Sequence, residues 1–490
     1  MAKKIVFLLG SANISGGTYV ILQHALFLKN AGFDVRIALV FMTLDELKAL
    51  KNASACWHPA IKELEFIHIK DAAHYQFDVA IYTWWAILFS FAKIKANTAI
   101  YFVQSIESRF YAKELTFLRD VVDRTYQLGL PVITEAVWIQ KYLQHHYQNS
   151  CELVRNGILK TVYTEQGEVY AEKSLQQLRI LVEGPVDLIF KNVARTVELC
   201  KQAKVGEVWL LTSSKVESYP GVDRVFSQVS IQDVPKIYRS CDVLVKLSYV
   251  EGMFGPPLEM FHCGGTAIVY DVTGFDEYIE HDVNALVAKT NDEEAVIRYL
   301  QALHQDRNLL ERLIAGAKQT ATNWIDWQHA SQDFANAIEK IASHPVSNRD
   351  AVLANVKTYL QEHLDVTFKK SGKQCLPAVP LYQSGYYALH VPLVIGENIF
   401  SVHFGKLYKV FKIIKVELSS ENGTMATGDT EIKEQGIIEN NQGNFVCLTQ
   451  EAGFNFNFKI RLLQPHKKPQ LSLKIEFTPI QVAENEGVSA

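Results

Sequence analysis

Cysteine is scarce and unpaired in this 490-residue chain: Cys56, Cys151, Cys200, Cys241, Cys263, Cys375 and Cys447, with no C-x-x-C among them. An odd, scattered set excludes a disulfide framework and a cysteine zinc site, and it fits free thiols in a reducing cytoplasm. Neither sign of charge dominates. Lys plus Arg is 49 and Asp plus Glu is 53, a net charge of −4, so nothing global argues for a nucleic-acid partner. Long apolar runs are missing too. The most apolar internal stretch, Val79 to Ala92, contains Tyr82, Thr83 and Ser90 and gives way to Lys93 and Lys95. It falls short of the roughly 20 residues a membrane helix needs. The run Ile5–Leu9 is too short for a secretory signal and has the length of a strand. These absences leave a soluble, cytoplasmic protein, with peripheral contact at the inner face of a membrane still open.

What is present is ordinary globular composition, 48% apolar and 21% charged, in a chain long enough for three domains. The first 170 residues alternate strand and helix patterns. Strands are expected at Lys4–Leu9, Asp34–Val40, Phe77–Tyr82, Ala99–Gln104 and Val132–Thr134. A loop spans Gly10–Gly17 and a helix Tyr19–Asn30. The pattern restarts near Arg179, with strands at Arg179–Glu183, Glu207–Leu211, Val243–Leu247 and Thr266–Tyr270. Helices are expected at Asn192–Lys201, Val234–Ser240, Asp292–Gln305 and Leu309–Thr322. Two doubly wound parallel sheets facing a cleft follow, over residues 1–170 and 171–345. From about Pro345 one more helix, Val352–Leu364, leads into alternating strands with turns at Asn422-Gly423 and Gln442-Gly443. That reads as an all-β sandwich over 346–490.

The chemistry concentrates in one stretch, Ser248-Tyr-Val-Glu251-Gly252-Met253-Phe254-Gly255-Pro256-Pro257-Leu-Glu259, which follows an apolar strand. Gly252 and Gly255 let backbone amides approach a ligand. Pro256 and Pro257 suit the first turn of a helix, and Gly264-Gly265 suits its end. A strand, a glycine turn and a helix start together form an anion site fit for a diphosphate. Two carboxylates flank it: Glu251 before the turn and Glu259, placed in the first helical turn. They make sense as acceptors from hydroxyls on either side of the diphosphate, which is the shape of a nucleotide sugar.

Glu251 and Glu259, with seven residues between them, resemble the E-x7-E motif of retaining GT-B glycosyltransferases of the family 4 type. Ile237-Tyr-Arg-Ser-Cys-Asp242, Ser248, Gly264-Gly265, Gly274, Glu277-Tyr278 and Asn284-Ala-Leu-Val fall in family order. The resemblance covers about residues 1–345. It implies that Glu251 meets the donor sugar, Glu259 the ribose, and the backbone of Gly252, Met253, Phe254 and Gly255 the diphosphate. It also implies that Ser15-Gly16-Gly17 is the glycine loop closing over the phosphates, so Gly16 and Gly17 join the donor site. The family's G-R…K pattern is altered. Lys191 fits the lysine, but Pro185 stands where the arginine belongs, with Arg179 and Arg195 as candidate substitutes. Gln104, where many members have histidine, sits in Tyr101-Phe-Val-Gln104 followed by Glu107 and Phe110, and is similar to bacterial rhamnosyltransferases. No D-x-D occurs, so a metal-independent reaction without cofactor is expected, as in GT-B enzymes.

The remaining candidates read as framework. His262 packs a helix, His145-His146 is a solvated helix face, and Trp84-Trp85 fills core and cleft wall. The aromatics Tyr382, Tyr386, Tyr387, Phe454, Phe456 and Phe458 are sandwich core. The function expected is transfer of a hexosyl or deoxyhexosyl unit from a nucleotide-diphosphate sugar to a glycan or lipid-linked acceptor in bacterial surface polysaccharide synthesis. Glu251 and Lys191 are its catalytic pair. The alternatives are a catalytically degenerate glycan-binding protein and a nucleotide-sugar epimerase or hydrolase on the same architecture.

Overall fold

The computed structural model describes residues 2–343 apart from 41, 43, 53–55, 112, 114 and 115, then residues 350–355 and, beyond them, the short strands Lys369–Lys370 and Lys373–Gln374 and the strands named below. The chain divides into two compact units, Met1–Val352 and Leu353–Ala490.

The first unit holds two parallel sheets. One contains β1 (Lys4–Leu9), β2 (Asp34–Leu39), β3 (Glu65–His68), β4 (Gln76–Tyr82), β5 (Lys95–Val103), β6 (Val132–Thr134) and β7 (Cys151–Leu153). They lie in the order β3-β2-β1-β4-β5-β6-β7, and every pairing is parallel. The other contains β8 (Leu178–Glu183), β9 (Gly206–Thr212), β10 (Arg224–Ser227), β11 (Val243–Lys246), β12 (Thr266–Tyr270) and β13 (Leu286–Ala288). Its order, β10-β9-β8-β11-β12-β13, is again wholly parallel. Helices cover both faces of such sheets, so the strands are continuous apolar runs rather than alternating ones. Ile5, Val6, Phe7 and Leu8 are all fully buried.

The helix after β1 starts earlier than its apolar spacing predicts. It runs Gly16–Asn30 because the Ser15 hydroxyl accepts from the Thr18 amide at 3.0 Å and caps it. Gly16 and Gly17 therefore form its first turn rather than a free loop.

The chain passes to the second sheet beside the point where it returns. The Ile158 amide donates to the Ile325 carbonyl at 3.1 Å. A Cβ on Gly157 would stand 2.4 Å from the Asp326 carbonyl carbon, so only glycine lets the two segments cross. The returning helix, Trp327–Ser343, buries Trp327, Ala330, Phe334 and Ile338 in the core of the first sheet. There the Phe334 ring stacks on His24 with centroids 4.1 Å apart.

Residues 350–355 are helical and run from the end of the first unit into the second, where every segment described from 369 onward is a strand. Leu381–Gln383, Tyr386–Leu393, Leu471–Pro479, Val410–Ser420, Phe445–Cys447 and Ile437–Glu439 form one sheet in that order. Gly396–His403, Gly453–Leu462 and Ala426–Gln435 form another. Both are antiparallel. Phe454 is buried. Residues 356–364, both expected turns, and the side chains of Tyr382, Tyr386, Tyr387, Phe456 and Phe458 lie outside the described residues.

Candidate active site

Ligands of open parallel sheets bind beyond the carboxyl ends of the strands, and the acidic motif lies there. After β11 the chain reaches Glu251, turns through Gly252, and enters a helix at Gly255 that ends at His262. Pro256 and Pro257 occupy its first positions, where no amide is needed. Glu259 therefore sits in the second turn, one turn later than expected. The Phe254 side chain is buried core, so only its backbone faces the turn, and its carbonyl accepts from the Tyr278 hydroxyl.

Gly252 is where the two sheets of the unit meet. A Cβ there would lie 2.0 Å from the Gln104 carbonyl oxygen. The Gly252 carbonyl accepts from Trp138 Nε1 at 2.9 Å, and the Met253 amide donates to Glu135 Oε1 at 3.1 Å. Glu135 follows β6 directly and is buried. Its other oxygen accepts from Asn156 Nδ2 at 2.9 Å and Gln104 Nε2 at 3.4 Å. Burial pushes its carboxyl up to about 7. One amide expected to cradle an anion thus already holds a carboxylate from the opposite sheet. Gln104 also donates to the Gly17 carbonyl at 3.3 Å, and a Cβ on Gly17 would stand 3.0 Å from its Oε1. Gly16 has open space around it.

The catalytic pair proposed from sequence is in contact. Lys191 Nζ donates to Glu251 Oε2 at 2.8 Å. A second lysine stands behind: Lys246 Nζ, at the end of β11, lies 3.6 Å from Glu251 Oε1 and 2.6 Å from Glu183 Oε2. Glu251 is only 5% exposed. Burial alone would raise its pKa, but Lys191 and Lys246 outweigh it and hold the carboxyl below its ordinary value. Glu259 goes the other way. Burial, then repulsion from Glu183, push it up to about 7, while the hydroxyls of Tyr238 and Tyr163 temper the rise.

Neither arginine named as a substitute for the missing one is free. Arg179 is the second residue of β8, at the end of the strand away from Glu183. It pairs with Glu207 at 2.9 Å and donates to the carbonyls of Ala171, Glu172 and Ser240. Arg195 is paired with Glu293 and Glu198. Lys246, Glu183, Glu135 and Trp138 escaped the sequence reading. The one signal for Lys246 was a lysine closing an otherwise apolar strand. His262 ends its helix, where burial lowers its pKa to about 4. His145 and His146 are exposed on the helix Val137–Tyr147, while Trp85 is buried.

Residues 215–320 match the family model described as glycosyl transferases group 1. A search of curated proteins returns no match. Among solved structures, sucrose-phosphate synthase from Thermosynechococcus elongatus is similar at TM-score 0.56 and 14% identity, over 70% of this chain and 99% of that one. Anabaena Alr3699/HepE in complex with UDP and glucose is similar at 0.55 and 14%, over 69% and 100%. WaaG, a glycosyltransferase involved in lipopolysaccharide biosynthesis, is similar at 0.53 and 14%, over 68% and 99%. The two parallel-sheet domains share the GT-B fold of these enzymes.

Proposed function

We propose that the chain is a retaining glycosyltransferase that moves a sugar from a nucleotide-diphosphate donor to a glycan or lipid-linked acceptor in polysaccharide synthesis. The observation that carries this is the Lys191–Glu251 pair, 2.8 Å apart, beside a glycine turn that opens a helix. A group 1 glycosyl transferase match over residues 215–320, which hold Glu251 and the glycine turn, and a similar fold holding UDP and glucose support it. A hexose or a deoxyhexose such as rhamnose is the donor sugar. The β-rich unit is an accessory sandwich.

In this reading the bond between the sugar's anomeric carbon and the diphosphate oxygen breaks as negative charge gathers on the leaving group. Lys191, the amides of Gly252–Gly255 and the helix start stabilise that charge, a term usually among the largest in catalysis. The acceptor hydroxyl attacks the same face of the anomeric carbon. Its proton passes to the departing phosphate oxygen. Glu251, kept ionised, accepts hydroxyls of the donor sugar and Glu259 those of the ribose. Neither carboxylate acts as the nucleophile, in contrast to a retaining glycosidase. Lys191 and the helix start supply the positive charge that a metal would otherwise bring, and the reaction is proposed to need none.

A thermal-shift screen of nucleotide sugars identifies the donor, because a ligand that binds only the folded state raises its melting temperature. With that donor, Glu251→Ala and Lys191→Ala each lose transfer, by about 10²-fold or more, while remaining folded. Chelators leave the wild-type rate unchanged. Wild-type turnover by either variant contradicts the proposal.

A further inference from the structure

Lysine is expensive to bury, because its charge must be taken out of water and paired. The side chain of Lys246 is 2% exposed, at the carboxyl end of a central strand of the second sheet. Two hydrogen bonds tie it to Glu183, one to Oε2 at 2.6 Å and one to the backbone carbonyl at 3.2 Å. An ammonium has three donors. The neighbour left for the third is Glu251 Oε1, at 3.6 Å, a buried oxygen with no hydrogen-bond partner among the described residues.

The two lysines of Glu251 differ in freedom. Lys191 ends a single 3-10 turn, Ile189–Lys191, and its side chain is 20% exposed. It can swing toward an arriving anion. Lys246 is held by the strand and by Glu183 and cannot. A diphosphate at the glycine turn therefore competes with Glu251 for Lys191. Without a second cation, Glu251 would be left as a buried anion beside a more highly charged one, and it would take up a proton. The groups that face it are Lys191 from the turn after β8, Lys246 from β11, Ser248 from the loop, and Tyr278 beyond Gly274. Glu183 and Glu259 add negative charge around Lys246. With Pro185 in the arginine's place and Arg179 and Arg195 committed elsewhere, no other cation among these groups can do the work.

We propose that Lys246 is a positioning residue that keeps Glu251 ionised and aimed at the donor sugar while Lys191 is drawn to the diphosphate. This rests on the function proposed above and adds a division of labour: Lys191 serves the leaving group, and Lys246 serves the carboxylate.

The test uses the full chain, with UDP and thymidine diphosphate as calorimetric probes and the donor found by thermal shift as substrate. Lys246→Met should bind the nucleoside diphosphate within about threefold of wild type and keep its donor KM, yet lose about 10²-fold in kcat. The acidic limb of its kcat–pH profile should move up by about one unit or more, because Glu251 then titrates in the working range. Lys191→Met should instead weaken diphosphate binding. If Lys246→Met does not fold, Glu183→Gln/Lys246→Met removes the buried pair as a neutral unit and carries the same readouts. Wild-type kcat with an unmoved acidic limb overturns the inference. So does a loss of diphosphate affinity matching that of Lys191→Met, which would put Lys246 on the phosphate itself. If the wild type binds neither diphosphate and turns over no nucleotide sugar, the functional proposal falls and takes this inference with it.

Discussion

At the scale of single residues, the site depends on where a side chain is absent and where a charge is held out of water. Gly252 has no room for a Cβ, since 2.0 Å separates that position from the Gln104 carbonyl. Gly252→Ala must push the two sheets apart or move the turn. It should cost about 1–3 kcal/mol of stability and lower transfer further than that loss explains, measured by thermal denaturation and initial rates. Glu135 makes a prediction of opposite character. Its folded pKa is raised by burial from 4.5 to about 7, so the native state holds a proton that the unfolded chain releases between those values. Its contribution is therefore full below about pH 4.5 and is lost as pH rises to 7, by up to roughly 3 kcal/mol. Glu135→Gln should flatten that part of the stability profile, read as melting temperature against pH. An unchanged slope would mean that the buried carboxylate is already ionised. Glu251, with its pKa lowered, runs the other way: its contribution stands above its unfolded pKa and fades as pH falls through the lower folded one. Among these residues, Glu251 was singled out because its spacing from Glu259 and the flanking glycines signal an anion site, and Lys191 only because it fits the lysine of the resembled family. Glu135 and Lys246 were not, because a lone acid after a strand and a lone lysine at a strand's end carry no periodic signal. Only the register of the sheets brings them to the turn.

Among the elements, legibility followed length. Strands such as Lys4–Leu9 and Thr266–Tyr270 run as the apolar pattern predicts, since a strand buried on both faces is a plain apolar run. Glu65–His68, Cys151–Leu153, Arg224–Ser227 and Leu286–Ala288 were missed: three or four residues hold little pattern unless all are apolar or β-branched, as in Val132–Thr134. The helix Gly16–Asn30 begins three residues before its apolar spacing because a serine cap, not periodicity, decides where it starts. The helix Trp327–Ser343 follows the second sheet in the chain but packs on the first. Its Phe334 lies against His24, Phe102 and Phe7 of the first core. Phe334→Ala should therefore destabilise the first unit by about 3–5 kcal/mol, seen as a lower denaturation midpoint. A change under 1 kcal/mol would place the helix outside that core.

For the whole molecule, the division at Val352 has a direct consequence. All the residues assigned to the donor lie in Met1–Val352, so that unit expressed alone should fold cooperatively and bind a nucleoside diphosphate as tightly as the full chain. Loss of binding would show that the β-rich unit contributes to the donor site. Among the described residues no helix is long and apolar enough to cross a membrane. The parallel sheets were legible from strand–helix alternation. The place where they touch was not, because Gly252, Gln104 and Glu135 are far apart in sequence and only the folded pair of sheets brings them together.

The central claim is that the glycine turn between Glu251 and Glu259 receives the diphosphate of a sugar donor beside Lys191. A crystal structure of the full chain with UDP tests it most directly. Phosphate oxygens should lie about 3 Å from Lys191 Nζ and from amides of the turn, with the uridine ribose at Glu259. Electron density for UDP elsewhere, with Lys191 still paired to Glu251 and the turn empty, would contradict it.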